Sequence, residues 1–172
     1  MGKILIVSDS HGLTNELKQI KSKHQDEVDI MIHCGDSELN ADNPIVNDFL
    51  MVRGNCDYDT NFPYDLVENY GGSNIFVTHG HRYSVKSSLM NLMYRAIELD
   101  AKIVCFGHSH ILGAEMLKGI LFLNPGSICL PRGRRERTYI ILAVKENAYD
   151  IQVFDFDQGE LQELRQTFSL SK

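Results

Sequence analysis

Lys3-Ile4-Leu5-Ile6-Val7-Ser8-Asp9-Ser10-His11-Gly12 is the stretch that decides the reading of this chain. Four consecutive apolar residues rich in β-branched side chains describe a short buried strand rather than a helix. Directly behind them stand a carboxylate and an imidazole two residues apart, then a glycine. The same arrangement recurs down the chain. The apolar run 30–32 ends in His33-Cys34-Gly35-Asp36, and 49–52 ends in Arg53-Gly54-Asn55-Cys56-Asp57. Run 75–77 ends in Thr78-His79-Gly80-His81, and 103–106 ends in Gly107-His108-Ser109-His110. Two further runs, 120–123 and 139–144, complete the set.

Helices are expected between these strands. Leu13, Leu17 and Ile20 share one helical face, and Pro44 suits the first turn of a short helix. Val85, Leu89, Leu92, Met93, Ala96 and Ile97 form one stripe, which predicts a helix over 84–100 with Ser84 as its N-cap. Strands alternating with helices indicate an α/β fold with parallel pairing. The last third changes character. Runs 139–144, 151–156 and 161–168 are joined by the turn-rich Lys145-Glu146-Asn147 and Asp157-Gln158-Gly159, so they read as an antiparallel meander. The apolar spacing at 161, 164 and 168 also fits a helix, and both readings stand.

Composition narrows the function. With 17 Lys+Arg against 23 Asp+Glu, the chain carries a formal charge of −6. That balance argues against sequence-independent grip on nucleic acid or anionic lipid. No apolar run approaches the roughly 18 residues of a membrane span, and the apolar run at the start is too short for a signal peptide. Four scattered cysteines without a C-x-x-C pair read as reduced thiols. The expectation is a cytoplasmic protein with no membrane partner. At 172 residues, without a linker or repeat, it reads as one domain over 1–172.

In an open α/β sheet, ligands gather at the carboxyl ends of the strands. Five strand ends here deliver Asp9, His11, Asp36, Asn55, His79, His108 and His110. These are the donor types that hold divalent metals. In extended backbone, Asp9 and His11, and likewise His108 and His110, would point the same way. Seven donors exceed the needs of one ion that keeps a place for water. They suit two ions about 3.5–4 Å apart that share a carboxylate and a bridging hydroxide. The hydroxide is the nucleophile and the ions clamp the phosphoryl group, so the reaction is hydrolysis of a phosphate ester.

Asp9-x-His11, Gly35-Asp36, Gly54-Asn55-Cys56-Asp57, Thr78-His79-Gly80-His81 and Gly107-His108-Ser109-His110 resemble, in order, the motifs of the calcineurin-like metallophosphoesterases. The short chain and the Gly-Asn-Cys-Asp variant resemble the family's small bacterial and archaeal phosphodiesterases. The resemblance implies a two-sheet β-sandwich flanked by helices. It implies one ion held by Asp9, His11 and His110, a second held by Asn55, His79 and His108, and Asp36 between them. Mn²⁺ is the expected metal, with Zn, Fe, Co and Ni as alternatives. The candidate catalytic residues are Asp36, Asn55 and His81, and Asn55 and Arg132 are candidate substrate contacts.

Cys56 stands where many relatives carry a histidine that protonates the leaving group. A thiol is a weak donor, so Cys56 reads either as a small filler or as a catalytic group. His81 reads as a substitute acid or a support for a ligand. His33 reads as a core or rim histidine, and His24, among Lys23, Gln25 and Asp26, as solvated helix surface. Asn124-Pro125-Gly126-Ser127 reads as a turn or as a loop beside the metals. Residues 131–137 read as a solvated basic loop or as a phosphate guide through Arg132. The expected substrate is a small phosphate ester, with no nucleic-acid groove; a homo-oligomer is left open. The rival readings are a non-catalytic scaffold resembling the retromer subunit, and a monoesterase or nuclease of the same superfamily.

Overall fold

The computed structural model describes residues 2–170. In chain order the elements are β1 (Gly2–Val7), α1 (Thr14–His24), β2 (Ile30–His33), β3 (Phe49–Met51), β4 (Asp65–Tyr70), β5 (Ser73–Thr78) and α2 (Met90–Glu98). They continue with β6 (Ala101–Cys105), β7 (Gly113–Leu117), β8 (Ile120–Asn124), β9 (Thr138–Val144), β10 (Ala148–Asp155), β11 (Gly159–Glu160) and β12 (Gln166–Ser169). A 3-10 turn over Pro44–Val46 occupies the place expected for a short helix after Pro44.

Two mixed sheets result. One has the order β11-β10-β9-β1-β2-β3, with β12 also paired to β10, and the other has the order β4-β5-β6-β8-β7. Strands β1, β2 and β3 run parallel, as do β5, β6 and β8, while β9 and β10 continue the first sheet antiparallel. The apolar runs are continuous because both faces of each central strand are covered. Ile4 and Ile6 of β1 meet Ile75, Val77, Ile103 and Leu121 between the sheets. Their neighbours Leu5 and Val7 turn outward under Leu17 and Ile20 of α1. On the other sheet Phe76 and Val104 turn outward under Leu92, Met93 and Ala96 of α2. Period-two alternation thus builds helix, sheet, sheet and helix as successive layers. Truncating one of the inner isoleucines to alanine should cost about 2–5 kcal/mol.

Four details differ from the sequence expectation. Helix α2 begins at Met90, not at Ser84. Ser84, at φ 55°, ends the 3-10 turn His81–Tyr83 and does not cap α2. Val85 is buried against Gly80, and Ser84 O accepts from the N–H groups of Ser87 and Ser88, so a turn stands in the place expected for the helix start. Strands β4 and β7 went unread because each is a sheet edge whose residues are at most partly covered, and exposed ones interrupt the apolar run. Segment 161–168 divides between the two readings: a 3-10 turn at Gln162–Leu164, then β12. Leu161, Leu164 and Phe168 all reach the core.

The fourth correction is His24, which is 2% exposed rather than solvated. Its Nε2 accepts from the Tyr139 hydroxyl at 2.9 Å, its Nδ1 donates to Glu27, and its ring meets Phe154 edge-on. The signal was in the sequence: Leu17, Ile20 and His24 lie on one helical stripe.

Candidate functional site

The loops after β1, β2, β3, β5 and β6 meet at one rim. They are laced together backbone to backbone: Asp9 N–H donates to Gly35 O and His11 N–H to Asp36 O, both at 3.0 Å. Gly107 N–H donates to His79 O, also at 3.0 Å. This lacing overturns the extended geometry expected for the two pairs. Asp9 (φ 52°), His11 (42°), Asp36 (55°), His108 (69°) and His110 (60°) are all left-handed. Each such residue costs about 1 kcal/mol or more and persists only where the surroundings impose it. Five of them on one donor set mark a pre-organised site.

Two glycines let the loops close. A Cβ on Gly54 would stand 2.0 Å from Asp36 Oδ1, and one on Gly107 would stand 2.5 Å from Asp9 Oδ2.

Asp9 Oδ1 is buried and, among the described residues, has no hydrogen-bond donor in good geometry. Three imidazole nitrogens surround it: His110 Nε2 at 3.1 Å, with His11 Nε2 and His79 Nε2 each at 3.8 Å. Asp36 Oδ2 lies 3.2 Å from His79 Nε2, and Asn55 Oδ1 lies 3.1 Å from the same nitrogen. His11 Nε2 and His110 Nε2 are 3.3 Å apart. The far side of two rings fixes the tautomer. His110 Nδ1 donates to Leu130 O, and His79 Nδ1 to Cys34 O, both at 2.7 Å. With the rings neutral, each Nε2 presents a lone pair to a carboxylate oxygen. Acceptors face acceptors, an arrangement that positive charge relieves, as a metal ion or as protons on the rings, and a ring N–H spent on a backbone carbonyl is how metal-ligating histidines are oriented. The donors therefore fit a divalent metal. Three compact groups can be drawn: Asp9, His11 and His110; Asp9, Asp36 and His79; and His11, Asp36 and Cys56.

The electrostatics agree. Burial alone would raise the Asp9 and Asp36 carboxyls; the imidazoles facing them, with Ser8 at Asp9 and Cys56 at Asp36, hold both below the ordinary range. Asp9 in turn lifts His110 above its usual value, and Asp36 and Asp9 lift His79 against its burial. His108 is pushed down to about 4 by burial, with His79 and Lys86 adding to it.

The remaining candidates fall around this cluster. The His108 ring lies 5.1 Å from His79, outside the compact groups. The His81 ring lies 5.4 Å from His79, with a buried Nδ1 that has no partner among the described residues, and burial and His79 lower its pKa. Cys56 lies beside Asp36, and burial together with Asp36 pushes its thiol up to about 11. Arg132 is exposed; its backbone N–H donates to His110 O at 3.0 Å while its side chain lines an adjoining cleft. Arg53 and Arg82 lie over the Tyr64 ring, which stands 5.8 Å from His81.

His33 is fully buried. It accepts from Gly35 N–H at Nδ1 (3.1 Å) and so donates from Nε2 to Ser10 Oγ (2.8 Å). Ser127 Oγ donates to Asp9 O at 2.7 Å, and Asn124 to Ser109 Oγ at 2.9 Å, so the 124–127 loop braces the site.

Asp57, the last residue of the Gly54-Asn55-Cys56-Asp57 stretch, has no role that the sequence assigns. It accepts from Asp36 N–H (2.8 Å), Gly54 N–H (2.7 Å) and Glu38 N–H (2.7 Å), pinning the Asp36 loop. Its place directly behind the Gly-Asn-Cys signal was the only hint.

The sequence profile of the calcineurin-like phosphoesterase superfamily domain matches residues 2–147. The chain is 47% identical to a probable metallophosphoesterase, YsnB, of Bacillus subtilis, covering 97% of this chain and 99% of that protein. It is 28% identical to phosphodiesterase MJ0936 of Methanocaldococcus jannaschii, covering 74% and 84%. Among solved structures, a conserved protein of Streptococcus pneumoniae described as a predicted phosphoesterase superposes with a TM-score of 0.94. It is 34% identical, covering 98% of this chain and 97% of that one. Vps29 of Entamoeba histolytica, solved in complex with zinc, shares the fold at a TM-score of 0.74 with 18% identity, covering 98% and 99%.

Proposed function

Because the chain belongs to the calcineurin-like phosphoesterase superfamily, we propose that it is a two-metal phosphodiesterase hydrolysing small phosphate esters in the cytoplasm. One observation carries this reading: the buried, donor-free Asp9 Oδ1 ringed by the Nε2 atoms of His110, His11 and His79, two of whose rings spend their Nδ1–H on backbone carbonyls. In this reading Asp9, His11 and His110 would hold one ion, Asn55, His79 and His108 would hold the other, and Asp36 would contribute to both. When bound, such ions polarise the phosphoryl oxygen and make water nucleophilic at neutral pH. Mn²⁺ is the metal we favour.

The chain's own residues do the rest. Asp57 accepts from Asp36 N–H and so fixes the Asp36 backbone, while Cys56 N–H donates at 2.8 Å to one oxygen of the Asp36 carboxylate and orients it. His33 and Ser127 fix the loop that carries Asp9 and His11. Asn55, exposed beside His79, is placed to contact the substrate. His81 is the group available to move a proton, because a thiol held near 11 yields its own reluctantly. Reliance on metal rather than on a strong general acid favours diesters with good leaving groups.

The scaffold reading has the Vps29 fold behind it, and that relative was solved with zinc. Metal retention alone therefore does not separate the two; turnover does. Chelated protein is assayed on a panel of mono- and diesters with Mn²⁺, Zn²⁺, Fe²⁺, Co²⁺ and Ni²⁺ added back singly. Diester hydrolysis should vanish on chelation and return most fully with Mn²⁺. Full activity in rigorously stripped protein, or no hydrolysis with any ion, refutes the proposal.

A further inference from the structure

The His108-Ser109-His110 turn has two sides. The His110 ring belongs to the donor cluster and the His108 ring lies 5.1 Å from His79 beside it, while Ser109 lines a cleft of about 480 Å³ between segment 84–89 and the start of β7. The walls are apolar: Val85, Leu89, Phe106 and Leu112, with Ile111 at the lip, 52% exposed. Lys86, Arg132 and one acid, Glu115 on β7, also line it; among the described residues neither Lys86 nor Arg132 makes an ion pair, although the chain as a whole is acidic, so the cations outnumber the acid in the cleft. Arg132 is tied to the turn through the bond from its N–H to His110 O.

A cavity of this size with an apolar body and a few convergent polar groups is the common form of a small-molecule site. Two unpaired cations beside the histidine turn call for an anion at the shared wall. Apolar walls beyond it call for an organic group without charge.

We propose that this cleft holds the ester group of the substrate, and that the group is bulky and apolar, of the size of a fused aromatic ring. The proposal rests on the phosphodiesterase reading and sharpens it: the phosphoryl group lies at the histidine cluster, Lys86 and Arg132 flank its charge, and the alcohol side fills the cleft. Ser109 takes the ester oxygens on the side away from the imidazoles. Substrates whose second group is methyl leave the cleft empty and forgo that contact.

The test reads binding and location as well as turnover. The chain is loaded with Zn²⁺, which is diamagnetic, and titrated with 1-naphthyl phosphate and with methyl phosphate, by calorimetry and by methyl NMR. Burial of the ring should make naphthyl phosphate bind at least about tenfold tighter. The methyls of Val85, Leu89, Ile111 and Leu112 should shift with it. Ile111→Asp, at an exposed lip, and Leu89→Ser should bring the two affinities within about threefold, and the methyl spectrum reports whether each variant is folded.

Equal affinities for the two phosphates in the wild type overturn the proposal, as do shifts confined to Met90 and Ile97 of α2, which are 52% and 51% exposed; Ile97 lies off the covered stripe on which the sequence places it. Cleft shifts that depend on protein concentration without ligand also overturn it, because a second copy then covers the cleft. Naphthyl phosphate seated in the cleft of a chain that hydrolyses neither the naphthyl nor the methyl 4-nitrophenyl diester overturns the phosphodiesterase reading instead. The cleft then stands as a binding site for organic phosphates.

Discussion

His33 couples the stability of this fold to pH, and the size of the effect follows from its surroundings. The ring is fully buried, and burial pushes its pKa down to about 4 from an ordinary 6.5. Its two contacts require the neutral form with Nδ1 bare: Gly35 N–H donates to Nδ1, and Nε2–H donates to Ser10 Oγ. The sign is fixed by which state binds more protons. Between pH 6.5 and 4 the unfolded chain takes up a proton that the native His33 refuses, so stability falls as pH falls through that window. At pH 5 the loss from this one group should be about 2 kcal/mol relative to pH 7.5. The perturbation is His33→Gln, which keeps an acceptor and a donor but does not titrate. The assay is urea unfolding near pH 7.5 and near pH 5, in chelator so that metal release does not contribute. His108, also held near 4, contributes equally to both proteins and cancels. The variant should lose about 2 kcal/mol less than the wild type on acidification. Identical losses in the two proteins would refute the reasoning.

Three further outcomes are expected. Asp57→Asn removes a charge that accepts from three backbone N–H groups at the Asp36 loop, and should lower metal affinity about 10–100-fold as read by competition with a chromogenic chelator; unchanged affinity would show that the loop holds without it. Gly54→Ala drives a Cβ against Asp36 and should cost metal binding more than it costs the far-ultraviolet circular dichroism signal, whereas retained metal binding would mean that the loops yield easily. Cys56→Ala should lose less than about threefold in kcat/KM, against the roughly 10²–10⁴-fold that a working general acid contributes, and wild-type rates should rise steeply as the leaving group's pKa falls. A flat series that steepens in Cys56→Ala would make the thiol an acid.

What the sequence disclosed, and what it hid, divides along physical lines. Continuous apolar runs such as 4–7 and 120–123 were legible because strands covered on both faces have no polar positions. The edge strands β4 and β7 were hidden because their residues are at most partly covered and exposed ones interrupt the apolar run. The donors at the rim were legible because imidazoles and carboxylates recur directly after buried strands. Their left-handed backbones were not: the φ of Asp9 and His11 is set by bonds to Gly35 O and Asp36 O, partners more than twenty residues away. Asp57 was hidden for the same reason, since the N–H groups it accepts from converge only when the loops after β2 and β3 meet. His24 was legible and was misjudged by its polar neighbours rather than by its helical stripe.

The central claim is that two ions act together on this donor set. Its most direct measurement is a titration of stripped protein with Mn²⁺ in which bound metal and diester turnover are read on the same samples, for the wild type and for Asp36→Asn. Turnover in the wild type should climb to a plateau at two ions per chain, and Asp36→Asn should bind fewer and lose at least about 10²-fold in kcat/KM. Full turnover at one ion or none, or a variant that keeps both its metals and its rate, would contradict the account.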